Sequence, residues 1–113
     1  MAISGTHNLA IEAGADFART FVLKNNGVIY DLTDWVFAAQ IRNSPGDDLI
    51  AEFDTEISED GERLTLSLGY EVTSALEAGH FEWDLFALRP DGIRMRLLEG
   101  VATIVQRITN AVP

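Results

Sequence analysis

The chain contains no cysteine, so it can form neither a disulfide nor a thiolate-held metal site. It has two histidines, His7 and His80, and a single lysine, Lys24; the other basic residues are arginines. Eight basic residues face 18 acidic ones, for a formal net charge of −10. A field of that sign disfavours phosphate backbones and anionic bilayers, so neither nucleic acid nor membrane is an expected partner. No apolar run approaches the roughly 20 residues that span a bilayer. The opening Met1-Ala2-Ile3-Ser4-Gly5-Thr6-His7 has no basic stretch followed by an apolar one, and a signal peptide is not expected there. Glycine-rich phosphate loops are missing as well: Gly14 stands alone in Glu12-Ala13-Gly14-Ala15-Asp16, and Gly5 is isolated.

Catalytic equipment is equally sparse. Nucleophilic catalysis needs a hydroxyl or thiol beside a base, and no serine lies in a Gly-x-Ser-x-Gly elbow. His7 lies near the chain start and His80 at a strand start after a turn, both ordinary surface positions. Glycoside hydrolysis needs two carboxylates facing each other across a cleft, whereas the inward positions of the strands are apolar. Asp47-Asp48 and Glu59-Asp60-Gly61-Glu62 offer oxygen ligands but lack the alternating spacing of a calcium-binding loop. The expectation is a non-enzyme with no catalytic residue, no cofactor and no metal ligand.

What the sequence does contain is a core and a strand rhythm. Its 113 residues suit one domain, and 47% of them are hydrophobic, as in globular proteins. Apolar residues fall in phase with a period of two: Phe17, Phe21 and Leu23, with Arg19 between the first two; Trp35, Phe37, Ala39 and Ile41; Leu64, Leu66 and Leu68; Phe81, Trp83 and Leu85. Trp35 and Trp83 are in phase with these inward neighbours, which reads as core packing and not as a stacking platform. Asn25-Asn26-Gly27, Ser44-Pro45-Gly46-Asp47-Asp48, Glu59-Asp60-Gly61-Glu62 and Pro90-Asp91-Gly92 separate the runs as turns. Tyr70 to Gly79 breaks the rhythm: good helix formers, with Val72, Ala75 and Leu76 on one face and Gly79 as terminator, predict one short helix near residues 70–78. The expected fold is an all-β, immunoglobulin-like antiparallel β-sandwich of seven to eight strands with that helix crossing between sheets; a small open barrel is the alternative. Residues 8–108 form the domain, with 1–7 and 109–113 as flexible or contact-making termini.

Two strands carry apolar residues on both faces. Val36 and Ala38 oppose the Trp35 set, and Phe86 and Leu88 oppose the Trp83 set, unless a bulge near Leu85 turns them inward. Leu98 is out of step with Met95 and Leu97. Arg89, Arg94 and Arg96 lie close together and read either as ordinary surface charge or as a positive spot that meets an acidic partner surface. Such positions read either as covered within the sandwich, on both faces or through a bulge that resets the phase, or as a subunit interface, since exposed apolar patches mark contacts. On the second reading the candidate interface is Val36, Phe86, Leu98, Arg94 and Arg96.

A family pattern runs through these segments. It comprises Ile11-Glu12-Ala13-Gly14-Ala15-Asp16-Phe17; the hairpin ending Val28-Ile29-Tyr30-Asp31-Leu32-Thr33-Asp34; Gln40-Ile41-Arg42; Leu64-Thr65-Leu66-Ser67-Leu68; the turn Thr73-Ser74-Ala75-Leu76-Glu77-Ala78-Gly79; Phe81-Glu82-Trp83-Asp84-Leu85; Pro90-Asp91-Gly92; and Leu97-Leu98-Glu99-Gly100-Val101-Ala102. Their order resembles small immunoglobulin-like β-sandwich proteins of tailed-bacteriophage virions, similar to baseplate upper protein N-terminal domains and tail adaptor modules. The similarity extends from about residue 8 to 107, and its motifs report strands and turns. It implies a non-enzymatic virion structural protein of the tail, baseplate or fibre-attachment region, made in the host cytoplasm. Its partners would be other virion proteins and further copies of itself, as an oligomer in the assembled particle. Such adaptor domains usually continue into fibre segments, so a chain ending at Pro113 implies a free-standing module. A capsid decoration protein and a carbohydrate- or receptor-binding module are the alternatives.

Overall fold

A computed structural model describes residues 5–44 and 46–106. Among them are eleven strands, in chain order β1 Gly5–Thr6, β2 Leu9–Glu12, β3 Phe17–Phe21, β4 Lys24–Asn25, β5 Val28–Ile29, β6 Val36–Arg42, β7 Leu49–Glu52, β8 Asp54–Ile57, β9 Leu64–Leu68, β10 Gly79–Leu88 and β11 Arg94–Val105. One helix, α1 Tyr70–Thr73, lies between β9 and β10. Three of the strands have only two residues, which leaves eight of ordinary length. They form an all-β sandwich. One sheet runs β1-β11-β10-β6-β7, with β2 also on β11; the facing sheet runs β3-β9-β8, and β4-β5 form a separate two-stranded ribbon.

The alternation read from the sequence is the pleat of these sheets. Phe37, Ala39 and Ile41 of β6, Trp83, Leu85 and Ala87 of β10, and Leu64, Leu66 and Leu68 of β9 all face the space between the sheets. Phe21 and Phe53 meet Trp83 there, with ring centroids 6.3 and 6.0 Å away. The turns fall where their chemistry requires. Asn26 and Gly27 both have positive φ, 53° and 80°, as a two-residue hairpin between β4 and β5 demands.

The helix is shorter than propensity suggests. It ends at Thr73; the Ser74 N–H still reaches the Tyr70 carbonyl, and residues 75 and 76 continue with i→i+3 bonds, Ala75 N–H to the Val72 carbonyl and Leu76 N–H to that of Thr73. The inward face is also different: Thr73 and Leu76 are buried, while Val72 and Ala75 are exposed. Gly79 does not cap a helix; it opens β10 opposite Ile104. The physical reason is Thr73. Its hydroxyl donates to the Ala15 carbonyl at 2.8 Å and accepts the Gly14 N–H at 3.2 Å, which ties the turn after β2 to the crossing between sheets. Thr73→Val should therefore cost about 1–3 kcal/mol, because it keeps the shape but orphans two polar groups. Urea unfolding measures it, and Thr73→Ser should recover most of the loss.

The chain start departs from expectation too. Residues 5–7 are not loose. Gly5 and Thr6 pair in parallel with Leu98 and Glu99, and the His7 N–H donates to the Glu99 carbonyl at 2.8 Å. Residues 1–4 and 107–113 lie outside the described residues, so the expected terminus 109–113 does too.

Candidate interaction surface

Of the five candidate interface residues, four point outward from the long sheet. Val36 is 62% exposed and Phe86 44% exposed, and both stand on its outer face together with Arg94 and Arg96. Leu98 is a correction: it is only 5% exposed and belongs to the core, where a Cβ on Gly5 would come within 3.2 Å of it. A bulge explains this. Leu85 pairs with Leu98 but Phe86 pairs with Arg96, so Leu97 is the extra residue on β11. Both Leu97 and Leu98 turn inward, while β10 keeps its phase and Phe86 stays out. The irregularity lies at the expected rung but on the neighbouring strand.

The register sets out the outer face rung by rung. Gln40, Asp84, Glu99 and Thr6 form one rung across β6, β10, β11 and β1, with Glu52 of β7 beyond Gln40. Ala38, Phe86 and Arg96 form the next, and Val36, Leu88 and Arg94 the one after. On the other side lie Arg42, Glu82 and Val101. Between these side chains runs an open groove of about 620 Å³, lined by Ala38, Arg42, Asp84, Phe86, Arg96 and Val101 among others. The opposite outer face of the sandwich is different in kind: Thr20 and Thr65 hydrogen-bond across β3 and β9 at 2.8 Å, and Asp54 and Glu56 of β8 are exposed.

The arginines of this face are largely engaged within the chain. Arg96 lies 3.5 Å from Glu99, Arg42 donates to the Gln40 side chain at 2.8 Å and to the Asp47 carbonyl, and Arg89 pairs with Asp91 at 2.8 Å in the turn before β11. The positive spot read from the sequence is thus mostly neutralised locally. Asp84 is the opposite case. Partial burial holds its carboxyl above the usual aspartate range; Arg96 and Arg42 oppose the shift, and Glu99 reinforces it. Among the described residues no hydrogen bond or ion pair reaches its side chain.

That shift has a sign. A carboxyl whose folded pKa lies above its unfolded one binds its proton more tightly in the native state, so ionisation costs stability as pH rises through the raised value. Asp84→Asn should therefore be more stable than the parent near neutral pH. The advantage should vanish below the ordinary aspartate pKa of about 3.9. Urea midpoints on both sides of that value test it.

The remaining polar groups are structural. Asp60 accepts from the Ser58 hydroxyl and the Glu62 N–H, and Asp31 from the Thr33 hydroxyl and N–H; these bonds hold both carboxyls below their usual range. His80 Nδ1 bonds the Thr103 hydroxyl at 3.0 Å, and the His7 ring meets Phe21 edge-on. Among the described residues no three His, Asp or Glu side chains gather as a metal site. Among the described residues no helix is long and apolar enough to cross a membrane. Sequence reasoning missed Asp84, Gln40 and Glu99 as members of one rung. The strand phase placed Asp84 outward beside Phe86, but no local signal gives the register of β6 and β11.

No protein-family model matches the chain, and no curated protein matches it. Solved structures do. CopC from Methylosinus trichosporium OB3b is 16% identical over 89% of this chain and 88% of that one, with a TM-score of 0.51. An internalin-like protein of Listeria monocytogenes is 18% identical over 90% of this chain and 29% of that one, at a TM-score of 0.49. Fibronectin(III)-like modules of Clostridium thermocellum CbhA are 17% identical, cover 95% and 91%, and give 0.46. At 16% identity the likeness to CopC is one of fold, and with the topology of the two main sheets it makes the chain an all-β sandwich of the immunoglobulin-like type.

Proposed function

We propose that this chain is a non-enzymatic assembly module, a structural protein of a bacteriophage virion in the tail, baseplate or fibre-attachment region, which meets neighbouring subunits through the outer face of its long sheet. The observation that carries the docking role is the placement of Val36, Ala38 and Phe86 side by side on a strand-built face, next to a groove and away from the core. Small apolar contacts of this kind gain strength when repeated in a symmetric particle. The virion setting rests on the order of strand and turn motifs in the sequence. A glycan-stacking surface has less support, since Trp83 is 3% exposed and Trp35 packs between Tyr30 and Phe37.

Phe86→Asp should leave the monomer folded, with an unchanged circular dichroism spectrum and a loss of stability of about 1 kcal/mol, the span of strand preference between such residues. Incorporation into particles should fall sharply. Imaging of the assembled particle tests the whole reading: copies are expected with this face against a neighbour. A chain absent from purified particles, or one seated there with the face open to solvent, overturns it.

A further inference from the structure

Resting on the assembly reading, we infer that the partner segment received by this face is cationic, a lysine or arginine set among apolar residues, with its charge over Asp84 and its apolar neighbour over Ala38 and Phe86. The groove carries three carboxylates, Glu82, Asp84 and Glu99, against two guanidiniums, Arg42 and Arg96. Both guanidiniums already have partners within the chain, as does Glu99. Asp84 lies at the centre, partly buried and with no donor among the described residues. An incoming ammonium or guanidinium would supply that donor.

The apolar half of the occupant follows from the register. Asp84 and Phe86 are two residues apart on β10, so their side chains stand about 7 Å apart on the same face. An extended segment with a basic residue at one position and an aliphatic or aromatic one two places on matches that spacing. Carboxylates alone would be ordinary surface charge; the adjoining Ala38–Phe86 rung gives the occupant something to bury. The net charge of −10 adds long-range attraction for a basic partner and opposes an acidic one. This reverses the sign suggested by the neighbouring arginines, because Arg89 and Arg96 are engaged within the chain and Arg94 stands two rungs away from Asp84.

Amide chemical shifts of the intact protein, titrated with three peptides, provide the test: acetyl-Ala-Lys-Ala-Leu-Ala-amide, whose lysine and leucine share a face when extended, and its counterparts with glutamate or glutamine in place of lysine. The lysine peptide should shift Ala38, Asp84, Phe86 and Glu99 and leave the acidic turns at Asp47–Asp48 and Glu59–Glu62 little changed. Asp84→Asn, expected to fold at least as well as the parent, should weaken that peptide by about fivefold. Unchanged binding by this variant overturns the inference, as does a stronger response to the glutamate peptide or a shift spread evenly over the acidic turns. An equal response to all three peptides also overturns it, while leaving an apolar docking face and the assembly reading intact. No response to any peptide overturns it too, and the particle image then decides the assembly reading separately.

Discussion

Trp83→Ala is expected to remove about 3–5 kcal/mol of stability, the range for deleting a large aromatic from a core. Trp83 is 3% exposed and fills the space between the sheets, against Phe21 on one side and Phe53 on the other. Phe21 is fixed on β3 and Phe53 at the junction of β7 and β8, so closing the void requires a backbone shift. The indole also donates from Nε1 to the His7 carbonyl at 2.8 Å, so truncation leaves that carbonyl without its donor. Urea unfolding gives the number. Trp83→Phe separates the two contributions, since it keeps most of the ring volume and drops the hydrogen bond, and it should lose distinctly less. A cost under about 1 kcal/mol for the alanine variant would mean that the ring is not in the core.

Gly100→Ala should be nearly as harmful, although it adds only a methyl group. A Cβ at this position would lie 1.9 Å from the His7 carbonyl oxygen and 2.6 Å from its carbon. Those atoms are backbone, held by the His7 N–H bond to Glu99 and by the Trp83 indole, so they cannot rotate away. The chain start has to lift from β11. The expected cost is at or above the upper end of the usual overpacking range, about 3 kcal/mol. Amide exchange is the specific readout. Protection of His7 and of Val101, whose N–H is held by the Asn8 side chain, should drop while that of Leu64–Leu68 in the other sheet is retained. A Gly100→Ala protein as stable as the parent, with His7 still protected, would show that the crossing is not as close as described.

These two positions differ in how far the sequence exposes them. Trp83 is legible: it sits in an alternating run with Phe81 and Leu85, and period two places it inward. Gly100 is not, because the reason for glycine there is a segment more than ninety residues earlier that pairs in parallel along β11. The Gly5–His7 segment carries no apolar rhythm of its own. Its place is set by hydrogen bonds to Glu99 and Trp83, which no local pattern announces.

The interaction face divides the same way. Val36 and Phe86 were readable as outward because β6 and β10 hold their alternation from end to end. Leu98 was misread because counting in twos fails across a bulge, and only the Leu85–Leu98 and Phe86–Arg96 pairs reveal that Leu97 is the extra residue. The helix was overextended because propensity favours residues 70–78, while the need to bury Thr73 and Leu76 together stops it at 73. The arginine cluster was visible, but its partners were not: Glu99 and Asp91 neutralise two of its three members through geometry that sequence proximity only hints at.

By itself, then, the sequence determined the alternating strands β3, β6, β9 and β10, most of the turns, the inward set around Trp83, the acidic charge and the scarcity of catalytic groups. All of these depend on residue type and short spacing. The tertiary structure alone decided the register: which rung joins Gln40, Asp84 and Glu99, where the bulge turns Leu98 inward, and how the chain start crosses Gly100. Register depends on contacts between residues far apart in the chain, where closing the loop and filling the core must be satisfied together, and local preferences carry no record of that.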